Sequence, residues 1–240
     1  MHTIRVNPLD APCDASALER LRTLSTSVVP DGIERMSAIR GVRPIAPAPF
    51  PFPSPMVGQA LTVRGAFGDN LAMHQALEMV APGQVVVVDA EGDTGRAITG
   101  EIMTRYAASR GAVGIVVHGS VRDADALGRA PIPVFACGIT HLGPTKDGPG
   151  EIGFPVAIGG VAVRQGDVVV GDGDGVAVIQ LEELAAVVER AEAREAYEQE
   201  VLRSIDEGTY ATGHWTAKVA LERPDGKPLD REAFAGRTSP

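Results

Sequence analysis

Three short runs of nearly unbroken apolar character constrain this chain more than any other feature: QVVVVDA (84–90), AVGIVVHG (112–119) and IPVFACG (132–138). A strand with one wet face alternates apolar and polar residues. A strand without alternation is covered on both faces, as in a parallel sheet flanked by helices. Between these runs lie EIMTRYAASR (101–110), helical in spacing and closed by Gly111, and RDADALGRA (122–130), read as a short helix. Upstream, QALTVRGAF (59–67) reads as a strand and DNLAMHQALEMV (69–80) as a helix that Asp69 can cap. The expected fold is α/β: a three-layer sandwich with a mixed, partly parallel central sheet flanked by helices.

The flanks read differently. Residues 1–15 are expected to form a loose N-terminal arm, 16–207 a single α/β domain, and 208–240 a polar C-terminal extension. Two short helices are expected within 16–36, the second starting among Ser27 to Asp31. Segment 39–58 is too rich in proline for a helix and reads as an ordered extended loop lying on protein. Residues 154–180 read as strands joined by turns, and a long C-terminal helix is expected from about Leu181 to Glu207. GDGDG at 171–175 lacks the acid spacing of a calcium loop and reads as a turn.

Composition narrows the function classes. With 240 residues, 44% of them hydrophobic, the chain can bury a sizeable core. The net charge is −9 and no basic run exceeds a pair, so neither nucleic acid nor an anionic membrane is an expected partner. Cys13 and Cys137 are too far apart in sequence for a metal motif, and two cysteines make no disulfide framework. No apolar run approaches a signal core or a spanning helix, so a cytoplasmic setting is expected.

Charged residues frame one bland stretch, GEIMTRYAASRGAVGIVVHGSVRD (100–123), with Glu101 near its start and Arg122–Asp123 at its end. In a β-α-β unit the loops that follow the strands open on one edge of the sheet, so these residues are expected on a common rim. Glycines at 92, 95 and 100 allow close approach of a ligand. The first backbone N–H groups of the 101–110 helix favour an anion such as a carboxylate. Arg122 can hold that carboxylate or polarise a keto oxygen. Asp123, with Glu101 helping through water, suits Mg²⁺ or Mn²⁺, and a 2-keto acid would complete the chelate. Plain helix caps and a surface ion pair explain the same residues equally well. His74 reads as a structural histidine. His118 either tunes the site or ends a strand, and Asn70 either reaches the site or caps a helix.

The pattern GE followed after twenty residues by RD resembles the D/E-x20-R-D signature of the class II pyruvate aldolases, which act on 4-hydroxy-4-methyl-2-oxoglutarate and 4-carboxy-4-hydroxy-2-oxoadipate. GDN (68–70), PGQVVVVDA and GDVVVGDGDGVAVI (166–179) support the resemblance, which covers about residues 20 to 205. It implies metal-dependent cleavage of a 4-hydroxy-2-oxo acid to pyruvate and a second keto acid, with oxaloacetate decarboxylation as a side activity. It also implies homotrimers or homohexamers with sites between subunits. By resemblance, Asp123 is the Mg²⁺ or Mn²⁺ ligand, and Arg122 binds the pyruvyl group and stabilises its enolate. Gly100 and the amides of Ile102 and Met103 cradle the carboxylate, and Glu101 contacts a metal-bound water. Glu198, in REAYEQE, reaches a neighbouring subunit's metal waters. His118 stands where relatives commonly carry an acid. The same superfamily contains the regulator of ribonuclease activity A, which binds RNase E, so a non-catalytic binding protein is the competing expectation.

Overall fold

A computed structural model of the chain describes residues 3–8, 13–31, 37–45, 50–211 and 218–228. In order, the elements are β1 (Ile4–Val6), α1 (Ala15–Leu21), α2 (Val28–Asp31), β2 (Arg43–Pro44), β3 (Met56–Gly65), α3 (Leu71–Met79), β4 (Gln84–Thr99), α4 (Glu101–Ser109), β5 (Gly114–Val121), α5 (Ala124–Leu127) and β6 (Val134–Ile139). Then follow β7 (Gly150–Ile152), β8 (Val156–Ile158), β9 (Val161–Val163), β10 (Val168–Asp172), β11 (Gly175–Ile179), one 3₁₀ turn, and α6 (Leu184–Asp206).

The apolar runs become the centre of a mixed sheet. β3, β4, β5 and β6 pair in parallel in that order. β7 joins antiparallel along the end of β3, and β1 pairs in parallel with β7. β10 joins the start of β3 antiparallel and forms a hairpin with β11. Val85 to Val88 and Ile115 to Val117 are almost wholly buried, as strands covered on both faces must be. One face carries α3 and α4: Ala72, Met73, Ala76, Leu77, Met103 and Ala107 pack on Leu61, Val63, Val86, Val88, Ile115 and Val117. The other face is covered centrally by the β8–β9 hairpin and by Ile39 and Val42. Towards β10 and β11 it is covered by α1, α2 and the first half of α6. The α/β class, the mixed sheet and the long C-terminal helix stand as expected.

Several boundaries differ from the sequence reading. Residues 4–6, expected in a loose arm, form a sheet strand, because Ile4, Arg5 and Val6 find a partner in β7. The proline-rich segment gives up Met56–Gly58 to β3 and Arg43–Pro44 to an edge strand. Residues 91–99 continue β4 through three register shifts instead of forming a loop. Helix 122–130 shrinks to the single turn of α5, since Asp123 adopts a left-handed backbone (φ 59°, ψ 41°) that cannot belong to a helix. Part of the second expected helix, residues 32–36, lies outside the described residues.

The chain forms two compact units, Met1–Glu195 and Ala196–Pro240, with the boundary inside α6. No helix among the described residues is long and apolar enough to cross a membrane.

Candidate functional site

The strand ends place the site. β4 ends at Thr99 and β5 at Val121, and the register pairs these two residues. The backbone N–H of Arg122 donates to the Thr99 carbonyl at 3.0 Å, holding the two exits side by side. Chain direction then puts Gly100–Glu101 and Arg122–Asp123 in contact. The Oδ2 of Asp123 accepts from the Glu101 backbone N–H at 3.1 Å and lies 3.7 Å from the Arg122 Nε. Asp123 thus caps α4 from a distant loop, satisfying one of its orphan donors. Among the described residues nothing donates to its second oxygen, and its side chain is 43% exposed.

Gly100 shows how tight this arrangement is. A Cβ there would lie 2.4 Å from Asp123 Oδ2 and 2.9 Å from Arg122 Cγ. Its backbone is extended (φ −159°), so glycine is needed for space and not for conformation. The backbone N–H groups of Ile102 and Met103, in the first turn of α4, have no carbonyl one turn behind them and remain able to bind an anion.

These groups open into a cleft of about 310 Å³, lined by Asn70, His74, Thr99, Gly100, Ile102, Met103, Arg122, Asp123, Pro144 and Lys146 among others. Asn70 is 3% exposed; its Nδ2 donates to the Ile98 carbonyl at 2.9 Å and approaches the Met103 sulfur at 3.3 Å. Its Oδ1 is buried and meets no donor among the described residues. His74, read as structural from sequence, is instead an exposed wall of the cleft. Partial burial, and then the charge of Lys146, push its pKa below the usual imidazole value.

Lys146 reaches the cleft from the loop that follows β6. That loop was not singled out in the sequence, having neither periodicity nor a motif. It is tied to the start of α3 by Asp69, whose carboxylate accepts from the Leu71 N–H at 2.8 Å, the Thr145 hydroxyl at 2.9 Å and the Asp147 N–H. Burial works to raise the Asp69 pKa, but these bonds outweigh it and hold the carboxyl below its usual range. Asp69 therefore supports the start of α3 as expected, and also fastens one wall of the site.

Two sequence candidates fall outside this cleft. Glu101 lies at its edge, but its side chain turns along α4 to Arg105 at 2.8 Å. His118 sits one strand row back, with Nδ1 3.2 Å from Asp89 Oδ1. Glu198 belongs to the second compact unit. Burial raises the pKa of Cys137, the reverse of what a nucleophilic thiol needs. A larger groove of about 520 Å³ includes Arg5, Arg64 and Glu151, but both guanidiniums are paired with that one carboxylate.

The RraA-like family, described as Aldolase/RraA, matches residues 13–178. A provisionally named 4-hydroxy-4-methyl-2-oxoglutarate aldolase of Halalkalibacterium halodurans is 34% identical over 203 residues, covering 84% of this chain and 94% of the relative. Among solved structures, an uncharacterized protein of Pseudomonas syringae pv. tomato superposes with a TM-score of 0.73 at 26% identity, covering 83% of this chain and 96% of its own. Streptomyces coelicolor RraAS2, described as an unusual member of the RNase ES inhibitor RraA family, superposes with a TM-score of 0.70 at 27% identity, covering 78% and 96%.

Proposed function

This chain belongs to the RraA-like family, Aldolase/RraA, and on that premise we propose that it is a divalent-metal-dependent aldolase. It would cleave a 4-hydroxy-2-oxo dicarboxylic or tricarboxylic acid to pyruvate and a second keto acid, and decarboxylate oxaloacetate as a side reaction. The observation that carries this reading is the convergence at Gly100. A carboxylate, a guanidinium and a helix N-terminus meet there so closely that a Cβ would touch both side chains. The name of the Halalkalibacterium relative supports it.

The donor set fits a hard cation that keeps much of its water. No group of three His, Cys, Asp or Glu side chains is clustered for a metal among the described residues. Mg²⁺ and Mn²⁺ are nonetheless commonly held by one or two carboxylates together with water and substrate oxygens. Asp123 would hold the ion through its unpartnered oxygen. When bound, the ion supplies Lewis acidity toward a keto acid.

The residues of the chain account for the remaining work. The N–H groups of Ile102 and Met103 bind the pyruvyl carboxylate, and the Gly100 gap lets that group come close. Arg122 donates to the keto oxygen and stabilises the negative charge that grows there as the C3–C4 bond breaks. The C4 hydroxyl gives its proton to water in the cleft, C4 becomes the carbonyl of the second keto acid, and the bonding pair passes to C3, which takes a proton back from water to give pyruvate. Loss of CO₂ from oxaloacetate leaves the same pair on C3, so the same residues serve both reactions. The exposed Ile102 (80%) on the cleft rim is an apolar surface suited to cover by a neighbouring subunit, in keeping with a homotrimer or homohexamer.

One observation favours a second reading. A single carboxylate at the site also suits a binding protein without catalysis, and RraAS2 is described by inhibition of RNase ES. Pyruvate release from 4-hydroxy-4-methyl-2-oxoglutarate and from oxaloacetate, with Mg²⁺ and with EDTA, separates the two. Release that needs the cation and is lost in Arg122→Ala supports the aldolase. A folded protein that releases none removes it.

A further inference from the structure

We propose that Arg96 is a positioning residue for Arg122: it pins Gly143, the loop residue that borders the Arg122 guanidinium, and so fixes where that guanidinium meets a ligand. The part given to Arg122 in turnover rests on the aldolase reading; the coupling of the two arginines does not.

Arg122 has little hold of its own. Its side chain is 45% exposed and its Nε lies 3.7 Å from Asp123 Oδ2. Neither terminal nitrogen meets an acceptor among the described residues. A long side chain in that state samples several rotamers unless its neighbours exclude them. On one side stands Gly100, where a Cβ would lie 2.9 Å from Arg122 Cγ. On another stands Gly143, where a Cβ would lie 3.4 Å from Arg122 Nη1, so this residue limits the swing of the guanidinium on the loop side. Gly100 belongs to the exit of β4 and is fixed by the sheet. Gly143 lies in an irregular loop after β6, and its place depends on what holds that loop.

Three bonds tie the loop, up to that point, to the strand exits. The Thr140 N–H donates to the Val121 carbonyl at 2.9 Å, and the Ala97 N–H donates to the Leu142 carbonyl at 2.8 Å. The third runs from Arg96 Nη1 to the Gly143 carbonyl at 2.7 Å. The first two are backbone bonds and stop one residue short of Gly143. Arg96 alone reaches the residue that borders Arg122. Its stem crosses Gly68, where a Cβ would lie 2.6 Å from Arg96 Cδ and where the backbone has φ 66°. Arg96 makes no ion pair among the described residues. In a chain of net charge −9, a guanidinium committed to one loop carbonyl stands out. A charge-assisted bond of this kind is stronger than a neutral one. It sits where a shift of about 1 Å would be felt at the reacting oxygen.

The test is a double-mutant cycle read by the binding of oxalate, a planar dianion with the shape and charge of the pyruvate enolate, which needs no turnover. In calorimetric titration of the full-length protein with Mg²⁺ present, Arg96→Met is expected to bind oxalate about tenfold more weakly than the parent. Arg96→Lys should come within about threefold of the parent, because an ammonium can still donate to the Gly143 carbonyl. In an Arg122→Ala background, Arg96→Met should change oxalate affinity by less than about twofold, since the group it positions is gone. General loosening of the loop would instead weaken oxalate equally in both backgrounds. In turnover, Arg96→Met should lower kcat for pyruvate release about tenfold and leave KM within about twofold. Parental oxalate affinity in Arg96→Met, or a loss of the same size in the Arg122→Ala background, overturns the proposal. Coupling between the two arginines in a protein that releases no pyruvate would leave this pair standing and remove the aldolase reading.

Discussion

The Asp123 carboxylate accepts the backbone N–H of Glu101 at 3.1 Å, across a sequence gap of 22 residues. One oxygen thereby locks the loop after β5 onto the helix after β4, and the other is left for a ligand. The position is conformationally selective as well, since Asp123 has φ 59°. Among non-glycine residues, Asp and Asn tolerate that region best.

Asp123→Asn should therefore fold normally, because an amide oxygen can still cap α4 and asparagine accepts the left-handed backbone. Its loss is expected in cation binding. Titration with Mn²⁺ in the presence of pyruvate should show affinity reduced by at least about tenfold. Pyruvate release should fall by roughly a hundredfold or more. An unchanged Mn²⁺ affinity would show that Asp123 is only a helix cap.

Gly100→Ala tests the close approach directly. The extended backbone accepts alanine without strain, so the defect is steric, against Asp123 Oδ2 at 2.4 Å and Arg122 Cγ at 2.9 Å. Thermal melting should shift by only a few degrees while pyruvate release drops by about a hundredfold. Activity close to that of the parent would mean that the two side chains do not work in the arrangement seen here.

Asp69→Ala should cost roughly 2–3 kcal/mol of stability, read from urea unfolding midpoints. It strips the Thr145 hydroxyl and two backbone N–H groups of their acceptor, three partly buried bonds lost at once. A midpoint that does not move would show that water satisfies these donors as well as the carboxylate does.

Stability should also carry the signature of His74. Partial burial, and then the charge of Lys146, hold its folded-state pKa below the ordinary imidazole value, so the unfolded chain binds this proton more readily. The sign is that stability is fully present above about pH 6.5 and declines as pH falls below it. His74→Gln should flatten the decline between roughly pH 6.5 and pH 5. Equal slopes for the variant and the parent would show that the imidazole is not held neutral by its surroundings.

Much of this architecture is legible in the primary structure, for a physical reason. Val85 to Val88 and Ile115 to Val117 have no polar face, and only a layer covered on both sides can accept such segments. The common rim of Gly100 and Arg122–Asp123 follows from the same logic, since parallel strands must exit on one edge. Residues 91–99 were misread because their exposure alternates irregularly and leaves no hydrophobic period to detect. His74 was misread because helical spacing shows which side of α3 is polar, but not that a loop some seventy residues away comes to lie beside it. Lys146 gave no signal at all: a lone lysine in an aperiodic loop acquires meaning only from what surrounds it.

The sequence by itself determined the α/β class, the parallel core and the edge on which chemistry could occur. These depend on local periodicity and on the fixed handedness of strand-helix-strand connections, which short stretches of chain already specify. Tertiary structure alone decided that Asp123 turns left-handed to cap α4, that Glu101 pairs with Arg105 instead of entering the cleft, and that Asp69 brings Lys146 to the far wall. Each of those outcomes depends on atoms distant in the chain competing for the same hydrogen bond or the same space, and no local pattern encodes which competitor wins.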